Sequence, residues 1–151
     1  HARPDNLGYP SRAIRTHRYL YIRNFNADLW PAGDEYHDID GCPSKSLLLN
    51  NSSKPGFQKY FQAAVGKRPM EELFDILVDP GCMRNLASSP GYEQHRKHLA
   101  HLLERELKRQ RDLRIIDGGQ VFDSYPRYSS MRPHLGGFAE RGKYNPAFIQ
   151  K

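Results

Sequence analysis

Two runs of β-branched and aromatic residues near the start of the chain predict a β-hairpin. The runs cover residues 13–15 and 19–25, and a short polar segment connects them. Because successive side chains of a strand point to opposite faces, Leu20 and Ile22 face away from Tyr21 in the second run. Both faces of this strand therefore carry large side chains, and we expect both to be covered.

Helical spacing of apolar residues predicts two later helices. The first spans residues 57–65, and Gly66 is expected to end it in a left-handed conformation. The second begins at Ser89, a favourable N-cap residue followed by Pro90 in the first turn, and continues to about Arg111. Its apolar stripe consists of Tyr92, Leu99, Leu102, Leu103 and Leu107.

The remaining pattern completes an α+β arrangement. Residues 72–77 predict a third strand, which ends at the turn formed by Asp79-Pro80-Gly81. Residues 26–56 show no sustained period and are expected to be irregular. We predict a small antiparallel sheet packed with a long C-terminal helix over residues 1–115, and an extended Gly, Pro and aromatic tail over residues 116–151 that wraps the surface.

Length and composition favour one folded domain. The chain has 151 residues, a net charge of +6 and 11% aromatic residues, so it can bury a core of its own. Its longest aliphatic run is Leu47-Leu48-Leu49, which excludes a transmembrane role because a membrane span needs about 20 apolar residues. The sequence starts at His1 without a signal-peptide pattern, so we expect a processed chain or a fragment. Cys42 and Cys82 leave the redox compartment open.

Potential metal ligands occur in two groups, and neither has a suitable spacing. In the acidic loop around Asp38, an EF-hand register would place Leu47 where a bidentate Glu is required. His95, His98 and His101 lie three residues apart, which spreads them over a helix surface. We therefore expect no metal site in this chain.

Nucleophilic catalysis has no complete residue set either. Cys42-Pro43-Ser44-Lys45 differs from a known self-modifying site, which has a residue between Cys and Pro and an Arg after the Ser. We interpret it as a turn with a small buried thiol. The chain contains no Ser-His-Asp order with elbow glycines and no phosphate-binding Gly loop.

Basic residues gather around the hairpin and on the long helix. Arginines at 12, 15, 18 and 23 flank the hairpin, and they could neutralise phosphate or sulfate groups. On the helix, Glu104 and Lys108 have the spacing of an i, i+4 ion pair, which favours a solvated face there.

Three sequence segments, called phrases below, occur in a characteristic order. They are residues 9–25, residues 67–75 with the letters ELFD, and Asp79-Pro80 followed by Asn85-Leu86-Ala87. In this order they resemble the C-terminal part of type I, formylglycine-dependent sulfatases, and most closely bacterial members similar to heparan N-sulfatase (N-sulfoglucosamine sulfohydrolase). The resemblance extends over about residues 1–115.

The resemblance implies a fold and a reaction. The fold is a small antiparallel sheet with a terminal helix, docked on a larger N-terminal α/β catalytic domain. In the reaction a formylglycine hydrate attacks sulfur while calcium and basic side chains hold the sulfate oxygens. The nucleophile motif and the calcium ligands lie upstream in the family, so we expect calcium and formylglycine in that N-terminal domain and no activity from the isolated chain. The family also implies a sulfated glycan substrate and export to the periplasm, lysosome or medium.

Substrate contacts follow from the same resemblance. In the family, the segment before the Tyr-Pro-x-Arg phrase approaches the catalytic cleft. The implied contacts are His1, Arg3 and Arg12, with Asp5 and Asn6 as further candidates. A salt bridge at the domain junction is an alternative role for Arg12.

A stand-alone polyanion-binding module is the competing function. It would use the basic helix and the tyrosines to bind heparin or nucleic acid. Nucleic acid is the less favoured partner, because the sulfatase phrases already account for Tyr19 and Tyr21.

Overall fold

The computed structural model describes residues 9–32, 36, 39–116, 118 and 122 of the chain. The described residues fall into two compact units, which are described separately: those at positions 9, 27–68 and 122 belong to unit 1, and those at positions 10–26 and 69–118 belong to unit 2. The predicted site residues His1, Arg3, Asp5 and Asn6 lie outside the described residues. Nearly all of the predicted tail lies outside them as well.

Unit 2 contains a three-stranded antiparallel sheet in the order β1-β2-β3. The strands are β1 (Ser11–Arg15), β2 (Tyr19–Asn24) and β3 (Glu71–Asp75). Tyr21 lies opposite Ile14 on one side and Leu73 on the other. The predicted hairpin and third strand are confirmed, although β3 ends at Asp75 because its carbonyl accepts the N–H groups of residues 78 and 79 in a turn.

Helix α3 (Glu93–Arg109) covers one face of this sheet, and the short helix α4 (Leu113–Ile116) follows it. Its apolar stripe is confirmed, since Leu99, Leu103 and Leu107 are buried. The core they form also contains Tyr21, Leu73 and Leu86. The α+β class predicted from the sequence is therefore correct.

The predicted start of the long helix is wrong. Ser89 begins a turn in which its carbonyl accepts the N–H of Tyr92, and the helix starts only at Glu93. Gly91 explains the delay, because its φ of +84° lies in the left-handed region and interrupts any helix running on from Pro90.

Unit 1 contains two short helices, α1 (Pro43–Asn50) and α2 (Gln58–Val65). Helix α1 occupies a segment that the sequence pattern predicts to be irregular, so that prediction is wrong. Pro43 occupies its first turn, and the N–H of Lys45 donates to the Cys42 sulfur at 3.4 Å as an N-cap. Cys42 is exposed, so the predicted buried thiol is also wrong.

The end of α2 differs from the prediction too. Gly66 has a φ of −65° and a ψ of 157°, which is extended and not left-handed backbone. The helix ends through a hydrogen bond of 3.1 Å from the Gly66 N–H to the carbonyl of Gln62.

Aromatic side chains organise the part of unit 1 that precedes α1. The ring of Tyr36 makes edge contacts with Trp30 and Phe61, at centroid distances of 5.7 and 5.9 Å. The Lys45 ammonium donates to the carbonyls of Tyr36 and Ile39. Through these contacts Tyr36 and Ile39 are joined to α1 and α2 of unit 1. Among the described residues, no helix is both long enough and apolar enough to cross a membrane.

Candidate functional site

The acidic residues of β3 are held by partners inside unit 2. Asp75 is only 3% exposed, and its carboxylate accepts hydrogen bonds from Nε of Arg18 at 2.9 Å and from the N–H of Leu77 at 3.3 Å. Glu72 is also buried and accepts a hydrogen bond of 2.8 Å from Nδ2 of Asn24. These carboxylates join β3 to its neighbours, which is how buried charged groups are normally accommodated.

The Asn85-Leu86-Ala87 phrase closes the outer edge of β3. Oδ1 of Asn85 accepts the N–H groups of Leu73 and Ala87, both at 2.9 Å, while its Nδ2 donates to the Glu71 carbonyl at 3.2 Å. The Leu86 N–H donates to the Leu73 carbonyl at 2.7 Å, and the Leu86 side chain enters the core. The phrase therefore supplies backbone partners to a strand edge that would otherwise be open.

A cleft of about 570 Å³ lies beside this closed edge. Three segments line it: the entry to β3, the loop before α3, and the first turn of α3. Its lining residues are Pro69, Met70, Glu71, Ala87, Ser88, Ser89, Pro90, Gly91, Glu93 and Arg96. The volume lies within the range of small-molecule sites.

An ionic network fixes the polar wall of the cleft. The Tyr21 hydroxyl donates to Oε1 of Glu71 at 2.6 Å, and Nη1 of Arg96 forms an ion pair with Oε2 of the same carboxylate. Burial raises the pKa of Tyr21, and its hydrogen bond to Glu71 raises it further, so the hydroxyl remains a donor at neutral pH. The side chains of Glu71 and Arg96 are 32% and 24% exposed, so a ligand in the cleft can reach both.

Glu93 adds a second carboxylate at the rim. It pairs with Lys97 at 2.6 Å, and this hydrogen bond lowers the pKa of Glu93. The cleft therefore presents carboxylate acceptors, guanidinium donors and the hydroxyls of Ser88 and Ser89, which suits binding of a polar ligand. In the described part of the chain, no group of three or more His, Cys, Asp or Glu side chains could hold a metal ion.

Arg12 forms a two-pronged ion pair within unit 2. Its Nε donates to Oδ2 of Asp112 at 2.6 Å, and its Nη2 donates to Oδ1 at 3.1 Å. Asp112 also accepts the N–H of Arg114, so it caps α4. The hydrogen bond from Arg12 lowers the pKa of Asp112. A substrate-binding role for Arg12 stays a prediction, and its side chain is 31% exposed.

Two curated proteins match this chain, and both are named ulvan-active sulfatase, from Formosa agariphila. One is 32% identical over 105 residues, which is 70% of this chain and 18% of that protein. The other is 33% identical over 100 residues, which is 64% of this chain and 16% of that protein. Over these stretches the chain is similar to the two sulfatases. It spans less than one fifth of the length of either matched sulfatase. No protein-family model matches it.

The similarity to two sulfatases supports the family predicted from the three phrases, and the heparan N-sulfatase branch stays a prediction. The sequence did not predict the cleft, because its parts come from distant segments. Glu71 lies 50 residues from Tyr21 and 25 residues from Arg96. One local signal was present, since the ELFD phrase of the sulfatase pattern begins next to Glu71.

Replacing Arg12 with Ala is expected to reduce stability at neutral pH and to have a smaller effect in acid. The pKa of Asp112 is lowered in the folded state, so the pair stabilises the fold above the ordinary Asp pKa of 3.8. This stabilisation is lost as the pH falls through the lowered value. Urea denaturation of both proteins at neutral and acidic pH measures the difference, and a constant difference would contradict the ion-pair explanation.

Proposed function

We propose that this chain is the C-terminal part of a sulfatase that hydrolyses sulfate esters or sulfamates of a sulfated glycan. Its similarity to two ulvan-active sulfatases is the observation that carries the proposal. The sheet and helix of unit 2 offer additional support, because they match the fold implied by the three sulfatase phrases. We further propose that the protein acts outside the cytoplasm, in the periplasm, the medium or a lysosome.

The proposed partner is an N-terminal catalytic domain of the same sulfatase. That domain would supply the chemistry, with a formylglycine residue made from its own Cys or Ser as the nucleophile and a calcium ion to hold the sulfate oxygens. In this proposal the residues of the present chain bind and orient the glycan. The proposed contacts are His1, Arg3, Arg12, Asp5 and Asn6.

The two hydrogen bonds between Arg12 and Asp112 make Arg12 suitable for binding the glycan. An ion pair that holds the guanidinium in one orientation reduces the entropy lost when a sulfate or carboxylate binds to its remaining N–H groups. In the sulfatase that contains this chain, Arg12→Lys should retain charge while it loses the two-pronged geometry. A raised KM with little change in kcat is expected for such a binding contact.

The class of sulfated bond separates two proposed branches of the family. A protein resembling heparan N-sulfatase would hydrolyse sulfamates, whereas similarity to ulvan-active sulfatases favours ulvan as the first substrate to test. Incubating the enzyme with ulvan and with an N-sulfated glucosamine substrate, followed by measurement of released sulfate, distinguishes the branches.

The decisive experiment compares the 151-residue chain with the product of the complete reading frame around it. We expect sulfate release from the longer protein and none from the 151-residue chain, because the nucleophile motif and the calcium ligands of the family lie upstream of the part that this chain resembles. We also expect the longer frame to encode Cys or Ser, any residue, Pro, Ser or Ala, any residue, then Arg. Turnover of an aryl sulfate by the 151-residue chain alone would overturn the proposal that the catalytic groups belong to the N-terminal domain.

A further inference from the structure

The chemistry of the cleft indicates what kind of ligand it accepts. Its charged groups nearly balance, because the Glu71 carboxylate is paired with Arg96 and the Glu93 carboxylate is paired with Lys97. A balanced cleft offers little net attraction to a polyanion, so its selectivity must come from hydrogen bonds and shape.

The cleft contains both hydrogen-bond donors and hydrogen-bond acceptors. Each oxygen of the Glu71 carboxylate holds one partner, Tyr21 or Arg96, and a carboxylate oxygen can accept a further hydrogen bond. The Arg96 guanidinium has additional N–H groups beyond its contact with Glu71. Ser88 and Ser89 contribute hydroxyls that can donate and accept. A ligand rich in hydroxyl groups matches this mixture, because each hydroxyl both donates and accepts.

Apolar atoms form the rest of the wall. Pro69, Met70 and Pro90 line the cleft, and Met70 is 61% exposed. The C–H face of a sugar ring can pack against such side chains while its hydroxyls reach the polar groups. The polar wall is held by ordered backbone, since Glu71 belongs to β3 and Arg96 to α3.

We propose that this cleft binds a neutral sugar ring of the substrate glycan through its hydroxyl groups, an inference that rests on the proposed function for the identity of the glycan. The cleft would then recognise the carbohydrate itself, while residues outside the cleft bind the sulfate group. Removing sulfate from the ligand should therefore leave the affinity of the cleft almost unchanged.

The test titrates the isotope-labelled 151-residue chain with ulvan oligosaccharides, before and after chemical desulfation, and follows amide resonances by NMR. Shifts centred on Ser88, Ser89 and Gly91 are expected with both ligands, with dissociation constants that agree within about twofold. Raising the salt concentration should change neither value appreciably, because hydrogen bonds to neutral groups are weakly screened.

Two pairs of matched variants locate the site. Met70→Ala removes one lining side chain of the cleft, whereas Met83→Ala changes a methionine of similar exposure, 58%, that does not line it. Glu93→Gln changes a cleft carboxylate, and Glu104→Gln changes a carboxylate of α3 outside it; both carboxylates pair with a lysine four residues later. We expect the cleft variant of each pair to weaken binding by about fivefold and its control to leave binding unchanged.

The inference is overturned if desulfated oligosaccharides do not bind, if binding requires sulfate and weakens steeply with salt, or if the cleft variants bind as well as their controls. Sulfate-dependent binding would instead favour a polyanion-binding surface. The outcome is separate from that of the activity assay, since a protein that releases no sulfate yet binds desulfated glycan in the cleft would contradict only the proposed function.

Discussion

Replacing Leu103 with Ala is expected to lower the free energy of unfolding by about 3 kcal/mol. Leu103 is 4% exposed and lies in the core between α3 and the sheet. Truncation removes buried methyl groups and leaves a cavity that the rigid sheet cannot fill completely. Urea denaturation followed by circular dichroism measures the loss.

Leu102→Ala is the matched control for this prediction. Leu102 precedes Leu103 in the same helix and is only partly buried, so the two substitutions change helix propensity equally and differ in burial. The control should cost about 1 kcal/mol. Equal losses in the two variants would mean that α3 does not present Leu103 to the sheet.

The elements most accurately predicted from the sequence are those whose own periodicity reflects burial. The hairpin and the apolar stripe of α3 are both correct, because the side chains that repeat with strand or helix spacing are the ones that pack in the core. Leu99 and Leu107 are examples, since each lies four residues from Leu103 and all three are buried.

The spacing of apolar residues does not predict an element that is determined by local contacts. Helix α1 buries none of its residues, so its sequence has no amphipathic pattern to reveal it. It depends on Pro43 in the first turn and on the Cys42 cap. The start of α3 failed for a similar reason, since Ser89 and Pro90 satisfy helix-start preferences, yet the left-handed Gly91 separates them from the helix.

The candidate site could be predicted only in part. Family resemblance indicated that the ELFD and Asn-Leu-Ala phrases belong together, but not that Asn85 replaces a neighbouring strand by bonding to Leu73 and Ala87. The sequence does not mark Arg96 as a site residue, because its contact with Glu71 depends on how α3 packs on the sheet. Tertiary packing creates the cleft, so no single segment carries its signature.

Loss of the Asp75 carboxylate is expected to be the other large effect. Asp75→Ala removes the acceptor of hydrogen bonds from Arg18 and Leu77, and should lower the free energy of unfolding by about 2 kcal/mol. Asp75→Asn retains an oxygen for the Leu77 N–H while it removes the charge that pairs with Arg18, so an intermediate loss is expected. Glu104→Ala breaks an exposed ion pair of α3 and should have almost no effect.

The same variants separate stability from binding. Asp75 lies at the end of β3 opposite to Glu71, and it does not line the cleft. A folded Asp75→Asn protein should therefore bind desulfated oligosaccharide with the affinity of the original chain, even though it unfolds at a lower urea concentration. If its affinity fell while the protein remained folded, β3 would transmit changes between its two ends, and the cleft could not be treated as a preformed site. Equal losses of stability in Asp75→Ala and Glu104→Ala would show instead that the contacts of the buried Asp75 contribute no more to the free energy of unfolding than an exposed ion pair does.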